Sequence, residues 1–229
     1  MIVSINQPAY LPWLGYFHRI AVSDLHIVLD HVQFEKNSYT NRNKIRTPQG
    51  WTWLTVPVST KNRFGDLPIS GLEFAAGSNW QAKHWATLRQ NYARAAHFHR
   101  YAEAFESFYR SQWTRLNDLM RAMNAWTLKE LGVETPLGYS SEMGVGGSKS
   151  ELVLNLCRAV GATVYLSGPL GRDYLDAGSF AAAGIEVRYH DYTHPRYRQA
   201  YQGFESYMAA ADLLFNCGPD SGSIMSENN

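Results

Sequence analysis

The alternation of short apolar runs with helical patterns at both ends of the chain constrains its fold most strongly. Residues 2–6 (IVSIN) form one apolar run, and residues 27–29 belong to the next; a helical pattern over about residues 10–23, beginning near Pro12, separates them. This order predicts a right-handed βαβ unit with parallel strands. The alternation returns after residue 148, where we predict helix, strand, helix, strand and helix in SKSELVLNLCRAVGA, TVYLSG, RDYLDAGSFAAAG, IEVRYHDY and FESYMAAADLLFN.

The middle of the chain follows other patterns. KIRTPQGWTWLTVPVS alternates apolar and polar residues around a Pro-Gln-Gly turn, which predicts a β-hairpin, and LPISGLEF predicts a further strand. Residues 79–132 contain three segments with helical spacing, and Gly132 predicts the C-cap of the third. We therefore predict an α/β fold: a mostly parallel sheet with flanking helices, a central helical insertion and a β-hairpin. We expect one domain over residues 1–218 and a flexible tail over residues 219–229.

Composition excludes several classes of protein. A chain of 229 residues that is 45% hydrophobic can bury a core, and a net charge of +1 gives no electrostatic footprint for nucleic acid. Without an apolar run of membrane-spanning length or a secretory signal, we expect a soluble, cytoplasmic protein with no membrane span. Cys157 lies in a helical pattern and Cys217 at a turn, and we predict no disulfide in a reducing compartment. We also predict no metal site, because His190, Asp191 and His194 provide no assured set of ligands.

Four segments leave the predicted strands, and all are rich in polar and aromatic residues. Ligands of open α/β sheets bind in the crevice at the carboxyl ends of the strands. We therefore expect the crevice to be formed by residues 7–16, 30–42, 167–174 and 189–199.

The first of these segments, NQPAYLPWLGY, combines stiff turns with flat aromatic side chains. Nucleotidyltransferases carry an H-x-G-H motif at the same place, but here Trp13 and Tyr16 replace both histidines. Gln7 supplies an amide, and Tyr10 and Trp13 supply walls suited to a sugar ring or planar base. The alternative is a proline-rich turn packed on the core.

Polar residues also follow the second predicted strand. Asp30, Gln33, Asn41, Arg42 and Lys44 lie in DHVQFEKNSYTNRNK. On an extended segment Arg42 and Lys44 project to the same side, where they would clamp a diphosphate or carboxylate. A solvated loop with salt bridges is the alternative interpretation.

The histidines and serines offer further candidates. His84 lies in a helix beside Lys83, and His194 begins a His-Pro-x-Tyr-x-Gln segment that also contains Tyr197 and Gln199. The pair Ser140-Ser141 precedes a helix, and we interpret it as a cap rather than a nucleophile.

These segments together resemble the WbqC-like family. The matching motifs are N-QP-x-YLPW-x-GY, LDxVQFxKxxxxNRNKI, W-x-x-KHW, SSE, YLSGxxGxxYLD, H-x-x-Y-x-Q and DLLFN-x-G, over about residues 2–218. Such proteins are typically encoded among genes for bacterial O-antigen, the lipopolysaccharide side chain, and other surface polysaccharides. The resemblance implies as site positions Gln7, Tyr10, Trp13, Asp30, Gln33, Asn41, Arg42, Lys44, His84, His194, Tyr197 and Gln199.

The resemblance also implies a small-molecule substrate, a nucleotide-linked amino sugar. We expect N-acyl or aminoacyl transfer onto that sugar, from a thioester of coenzyme A or from a carrier protein as partner. Direct attack by the amine needs a base, His194 or His84, but no protein nucleophile. Two alternatives stay open: an ATP-dependent ligase of nucleotidyltransferase-like fold, and a non-catalytic sugar-binding subunit of a polysaccharide assembly complex.

Overall fold

The sheet combines strands from both ends of the chain, as predicted. The computed structural model describes residues 1–60, 65, 67–227 and 229. Those residues form the strands β1 (Ile2–Asn6), β2 (Leu25–Val28), β3 (Arg42–Thr47), β4 (Gly50–Thr55), β5 (Leu137–Tyr139), β6 (Val164–Ser167) and β7 (Glu186–Tyr189). Five of them make a parallel sheet in the order β5-β2-β1-β6-β7, and β3 and β4 form the predicted antiparallel hairpin. The fold is therefore α/β.

Helices cover the sheet and fill the centre of the chain. They are α1 (Leu14–Ala21), α2 (Trp80–Tyr92), α3 (Phe98–Arg110), α4 (Leu116–Glu130), α5 (Lys149–Ala159), α6 (Ala177–Ala182), α7 (Ala210–Cys217) and α8 (Ser221–Ser226). The three predicted central helices are α2, α3 and α4. Gly132 ends the last of them with a φ of 69°, and the Val133 amide donates to the Leu128 carbonyl, which confirms the predicted glycine cap. Across the described part of the chain, none of these helices has both the length and the apolar character needed to cross a bilayer.

Two apolar clusters hold these elements together. The first joins the sheet to α5 and α6 and includes Val3, Ile27, Leu156 and the buried Cys157. The second joins α1 to the hairpin, the central helices and α7. Because helices cover the sheet, the central strand β1 reads as an apolar run, whereas the edge strand β7 alternates exposed and partly buried residues.

Several local predictions were wrong. LPISGLEF forms a 3₁₀ turn at Ile69–Gly71 with isolated bridges on either side, because Pro68 cannot donate a ladder hydrogen bond. RDYLDAGSFAAAG divides into a 3₁₀ turn at Pro169–Asp173 and α6, and the Asp176 carboxylate caps α6 by accepting from the Gly178 and Ser179 amides. β5 was not predicted.

The C-terminus also differs from the expected flexible tail. Gly218–Asp220 forms a 3₁₀ turn that leads into α8. Met225 is buried at 1% exposure, and the Tyr192 hydroxyl donates to its carbonyl at 2.9 Å. One buried methionine thus anchors a segment whose polar composition had predicted a tail.

Candidate functional site

A pocket of about 860 Å³ opens at the carboxyl ends of β1, β6 and β7. β1 lies between β2 and β6, so the connections on its two sides leave in opposite directions, which is where open α/β sheets bind ligands. Each of the four segments predicted to form the crevice contributes to the lining, represented by Gln7, Tyr39, Gly168 and His190.

The β1–α1 connection is held in an uncommon backbone conformation. Leu11 has a φ of 47°, in the left-handed region that non-glycine residues rarely adopt. Its carbonyl accepts from Asn43 Nδ2 at 2.5 Å, and the neighbouring Tyr10 amide donates to the Tyr39 carbonyl at 3.1 Å. Both partners belong to the segment that enters the hairpin. These two hydrogen bonds therefore hold the β1–α1 connection, and with it this wall of the pocket, in its backbone conformation.

Trp13 forms an aromatic wall at the start of α1. Its half-buried indole packs edge-on against Tyr192 at 5.6 Å and Tyr207 at 5.3 Å between ring centroids. All three rings line the pocket. A Cβ atom on Gly15 would overlap the indole, so only glycine leaves room for the ring in this position.

Arg19 is a buried cation on α1. It lines the pocket at 7% exposure, and its Nε atom has no hydrogen-bond partner in the part of the chain that the structure describes. Among the residues that the structure describes, no ion pair involves its guanidinium. Burial lowers the pKa of Arg19, and nearby phenols oppose this shift, but guanidinium stays charged in proteins. A buried, uncompensated charge is costly, so the pocket is prepared for an anion.

Two histidines face each other beside Arg19. His18 Nδ1 lies 2.8 Å from His190 Nε2, and the rings are nearly parallel. Burial, then the charges of Arg19 and His18, lower the pKa of His190 to about 4; burial also lowers the pKa of His18. Both imidazoles are therefore neutral at pH 7, and one donates to the other. Within the described ranges, no group of three or more His, Cys, Asp or Glu side chains is arranged to hold a metal ion.

Comparisons with known proteins decide the family. A protein-family model, the WbqC-like protein family, matches residues 7–224. The chain belongs to the WbqC-like protein family. It is also 39% identical, over 96% of its length and 95% of the relative's, to the uncharacterized protein Rv1507c of Mycobacterium tuberculosis. No solved structure matches the chain.

Of the site residues predicted for this WbqC-like protein, Gln7 and Trp13 line the pocket. Tyr10 and His84 lie together elsewhere, in a buried cluster where the Tyr10 hydroxyl is 2.8 Å from His84 Nδ1 and 2.5 Å from the Tyr109 hydroxyl. Burial lowers the pKa of His84 to about 4. Neither of this pair lines the pocket, and the role of His84 as a base stays a prediction.

Asp30 is fully buried and joins the sheet to the helical insertion. It accepts hydrogen bonds from Ser140, Ser141 and Asn117 and pairs with Arg121 at 3.1 Å. Burial alone would raise the pKa of Asp30, but these bonds outweigh it and lower the pKa. The serine pair thus binds an internal carboxylate rather than capping a helix.

Gln33 and Asn41 also make hydrogen bonds to the backbone. The Leu67 amide donates to Gln33 Oε1, and Asn41 Nδ2 donates to the Val56 carbonyl. Neither residue lines the pocket. These bonds position the connections around the hairpin.

Arg42 and Lys44 lie on one face of the hairpin, as their spacing predicted. Arg42 stacks on Trp53 at 4.4 Å, and Lys44 lies 4.1 Å from the centre of the Trp51 ring. This face adjoins the pocket through Tyr39.

The third predicted group lies directly behind the pocket wall. Tyr197 and Gln199 both donate to Asp212, a fully buried carboxylate that also accepts from Tyr92. His194 packs against Tyr207 at 5.4 Å, and its Nδ1 donates to the Pro195 carbonyl. These residues support the aromatic wall without lining the pocket.

Sequence reasoning missed Arg19 and His18 and considered His190 only as a metal ligand. α1 carries Arg19 and His18 among apolar neighbours, so periodicity assigns them to no face. The sequence feature that could have revealed them is the presence of two polar residues within an otherwise apolar helix that follows the first strand.

Proposed function

We propose that this protein transfers an acyl or aminoacyl group to the amine of a nucleotide-linked amino sugar. The observation that carries the proposal is the unpaired guanidinium of Arg19 in an aromatic-walled pocket at the switch point of the sheet. A diphosphate would compensate that charge, and Trp13 offers a face for a sugar ring. The resemblance to proteins of surface polysaccharide synthesis agrees with such a substrate.

The reaction needs a proton acceptor close to the anion site. The amine nitrogen attacks the carbonyl carbon of a thioester, the carbon–sulfur bond breaks, and the thiolate leaves and takes up the proton that the base removed from the amine. His190 is neutral and lines the pocket, so we assign it the proton that the amine loses. A diphosphate bound to Arg19 would offset the positive charge of Arg19, which is one of the charges that lower the pKa of His190. His190 would then be a stronger base.

Of the three amides predicted to donate to the carbonyl oxygen, Gln7 is the one that lines the pocket. Asn41 and Gln199, the other amides predicted for this role, already bond to Val56, Asp212 and Glu205. Gln7 lines the pocket, so the proposal assigns the oxyanion to it.

The ATP-dependent ligase is the second candidate, and one observation favours it. The residues W-L-G-Y begin α1 beside the pocket, where nucleotidyltransferases carry their histidine motif. Pyrophosphate or AMP would then be released from ATP and an acid.

One experiment separates the candidates. The purified protein is incubated with uridine diphosphate glucosamine and acetyl coenzyme A, and separately with ATP and acetate. We expect free thiol and a sugar heavier by one acetyl group, and a loss of at least a hundredfold in rate for His190→Gln with nucleotide-sugar binding retained. Release of AMP or pyrophosphate would support the ligase instead. Binding of the nucleotide-sugar without turnover against acetyl, aminoacyl and carrier-bound donors would indicate a sugar-binding subunit.

A further inference from the structure

The hairpin carries an exposed face in which cations alternate with aromatic rings. Register pairs Lys44 with Trp53 across the two strands, and side chains two residues apart share a face. Arg42 and Lys44 therefore lie among Trp51 and Trp53, at 4.4 Å and 4.1 Å from the nearest ring centroids. Tyr39 extends this face, with its ring 5.9 Å from that of Trp53. We call these five residues the hairpin face.

Arg42 and Lys44 give the hairpin face two positive charges. In the described part of the chain, neither Arg42 nor Lys44 takes part in an ion pair. Arg42 donates to the Asn37 carbonyl, which fixes its orientation without removing its charge. Trp51 is 42% exposed and Tyr39 is 49% exposed. Large aromatic groups and free cations at the same surface fit a ligand with both a flat ring and negative charge.

The hairpin face is continuous with the pocket. Tyr39 belongs to the face and also lines the pocket, so this residue joins the two. A single elongated ligand could thus contact Arg19 inside and the aromatic rings outside.

We propose that the hairpin face binds the nucleoside base of the nucleotide-linked substrate, while Arg19 binds the diphosphate inside the pocket. This inference rests on the proposed function and adds a second subsite to the proposed substrate-binding site. The exposed Tyr39 and Trp51 rings and the stacked Arg42 guanidinium offer flat surfaces to a base. Lys44 adds attraction for the adjoining phosphates. Stacking of this kind tolerates different bases, so the subsite recognises a nucleotide as a class.

Two probes separate the subsites. Uridine diphosphate carries a base and a diphosphate, whereas inorganic pyrophosphate carries the diphosphate charge alone. Binding of each is measured by calorimetry to wild type and to Trp51→Ala, Lys44→Ala and Arg19→Met. Gln49→Ala, an exposed change at the hairpin turn, is the matched control.

We expect wild type to bind uridine diphosphate more tightly than pyrophosphate. Trp51→Ala should weaken the binding of uridine diphosphate by about tenfold and leave that of pyrophosphate within about twofold, whereas Lys44→Ala, which removes a positive charge near the phosphates, should weaken the binding of both probes. Arg19→Met should weaken both probes, and Gln49→Ala neither. Thermal melts establish that each variant is folded.

The failures are distinguishable. If wild type binds neither probe, the proposed function fails together with this inference. If uridine diphosphate binds and both hairpin variants retain its affinity, only the hairpin subsite is overturned. Coenzyme A is titrated in the same way as a third ligand. If the hairpin variants lose affinity for coenzyme A and keep that for uridine diphosphate, the face belongs to the donor and the inference is again overturned.

Discussion

Arg19 and Arg46 are buried to similar extents, at 7% and 3% exposure, in opposite surroundings. Arg46 donates to the carbonyls of Thr47, Gly50 and Gln202 and so joins the hairpin to the C-terminal region. Arg19 has no such donor bonds in the described part of the chain. Removing a buried group that satisfies three carbonyls leaves those carbonyls unpaired, whereas removing an uncompensated charge relieves a desolvation penalty.

Substitution by methionine at these two positions should therefore change the free energy of unfolding in different directions. We expect Arg46→Met to lower the free energy of unfolding by about 2–4 kcal/mol, and Arg19→Met to leave it unchanged or raise it by about 1–4 kcal/mol. Urea unfolding measures both effects. A large loss of stability in Arg19→Met, with pyrophosphate binding retained, would contradict the assignment of Arg19 to an anion.

The lowered pKa of His190 predicts the pH at which activity is lost on the acid side of the profile. Its pKa is about 4 in the free protein, so the base is lost as the pH falls through about 4 and is fully available above about pH 6. The measurement is kcat/KM against pH, and the amine of the substrate sets a separate limb at higher pH. Below the pKa of the amine, a second break in the profile of kcat/KM well above pH 4 would assign the base to another group.

At the scale of elements, the sequence predicts which connections meet but not the conformations they adopt. Parallel strands bring their carboxyl ends to one edge, so composition and strand order suffice to find the pocket. The positive φ of Leu11 depends on the hydrogen bond that its carbonyl accepts from Asn43 and on the one that the Tyr10 amide donates to the Tyr39 carbonyl, and both partners are distant along the chain. The same limit applies to β5, which forms by pairing with β2 and has no strand signal of its own.

The start of α1 gives a prediction for two coupled residues. Trp13→Ala should melt within a few degrees of wild type, because the indole is only half-buried, but should lose the thermal shift that nucleotide-sugar induces. Gly15→Ala should lose that shift too, because its methyl group would displace the indole.

The double variant is the decisive control. Without the indole, the three atoms nearest to a methyl group at position 15 are gone, and alanine there should stabilise the helix by up to about 1 kcal/mol relative to Trp13→Ala. A Trp13→Ala variant that melts far lower and still shifts with ligand would show that Trp13 is a packing residue.

For the whole molecule, buried neutral histidines make stability depend on pH. Burial, then the charge of Arg19, lower the pKa of His26 to about 3, and burial lowers that of His84 to about 4. In the unfolded chain both titrate near about 6.5. Below that pH only the unfolded state takes up the protons, so stability falls as the pH decreases toward 4. Asp212, whose pKa burial raises, acts in the opposite sense.

We therefore expect the free energy of unfolding to be lower at pH 5 than at pH 7.5 by about 2–4 kcal/mol, since each pKa unit corresponds to about 1.4 kcal/mol. Urea titrations at several pH values measure the change. His26→Asn, which can keep a bond to Ser4, should flatten the dependence. Equal stability at the two pH values would indicate that water reaches these histidines.

The central position of β1 bears on how the chain is synthesised. Its first neighbour, β2, follows directly after α1, at Leu25–Val28, but Ile2 pairs with Val164 only when most of the chain has left the ribosome. At ordinary rates of translation, one edge of β1 stays open for on the order of ten seconds. An open strand edge is a template for pairing with another nascent chain. Arrival of β6 therefore marks the point at which the growing polypeptide is protected from aggregation, and truncations before it should yield insoluble protein.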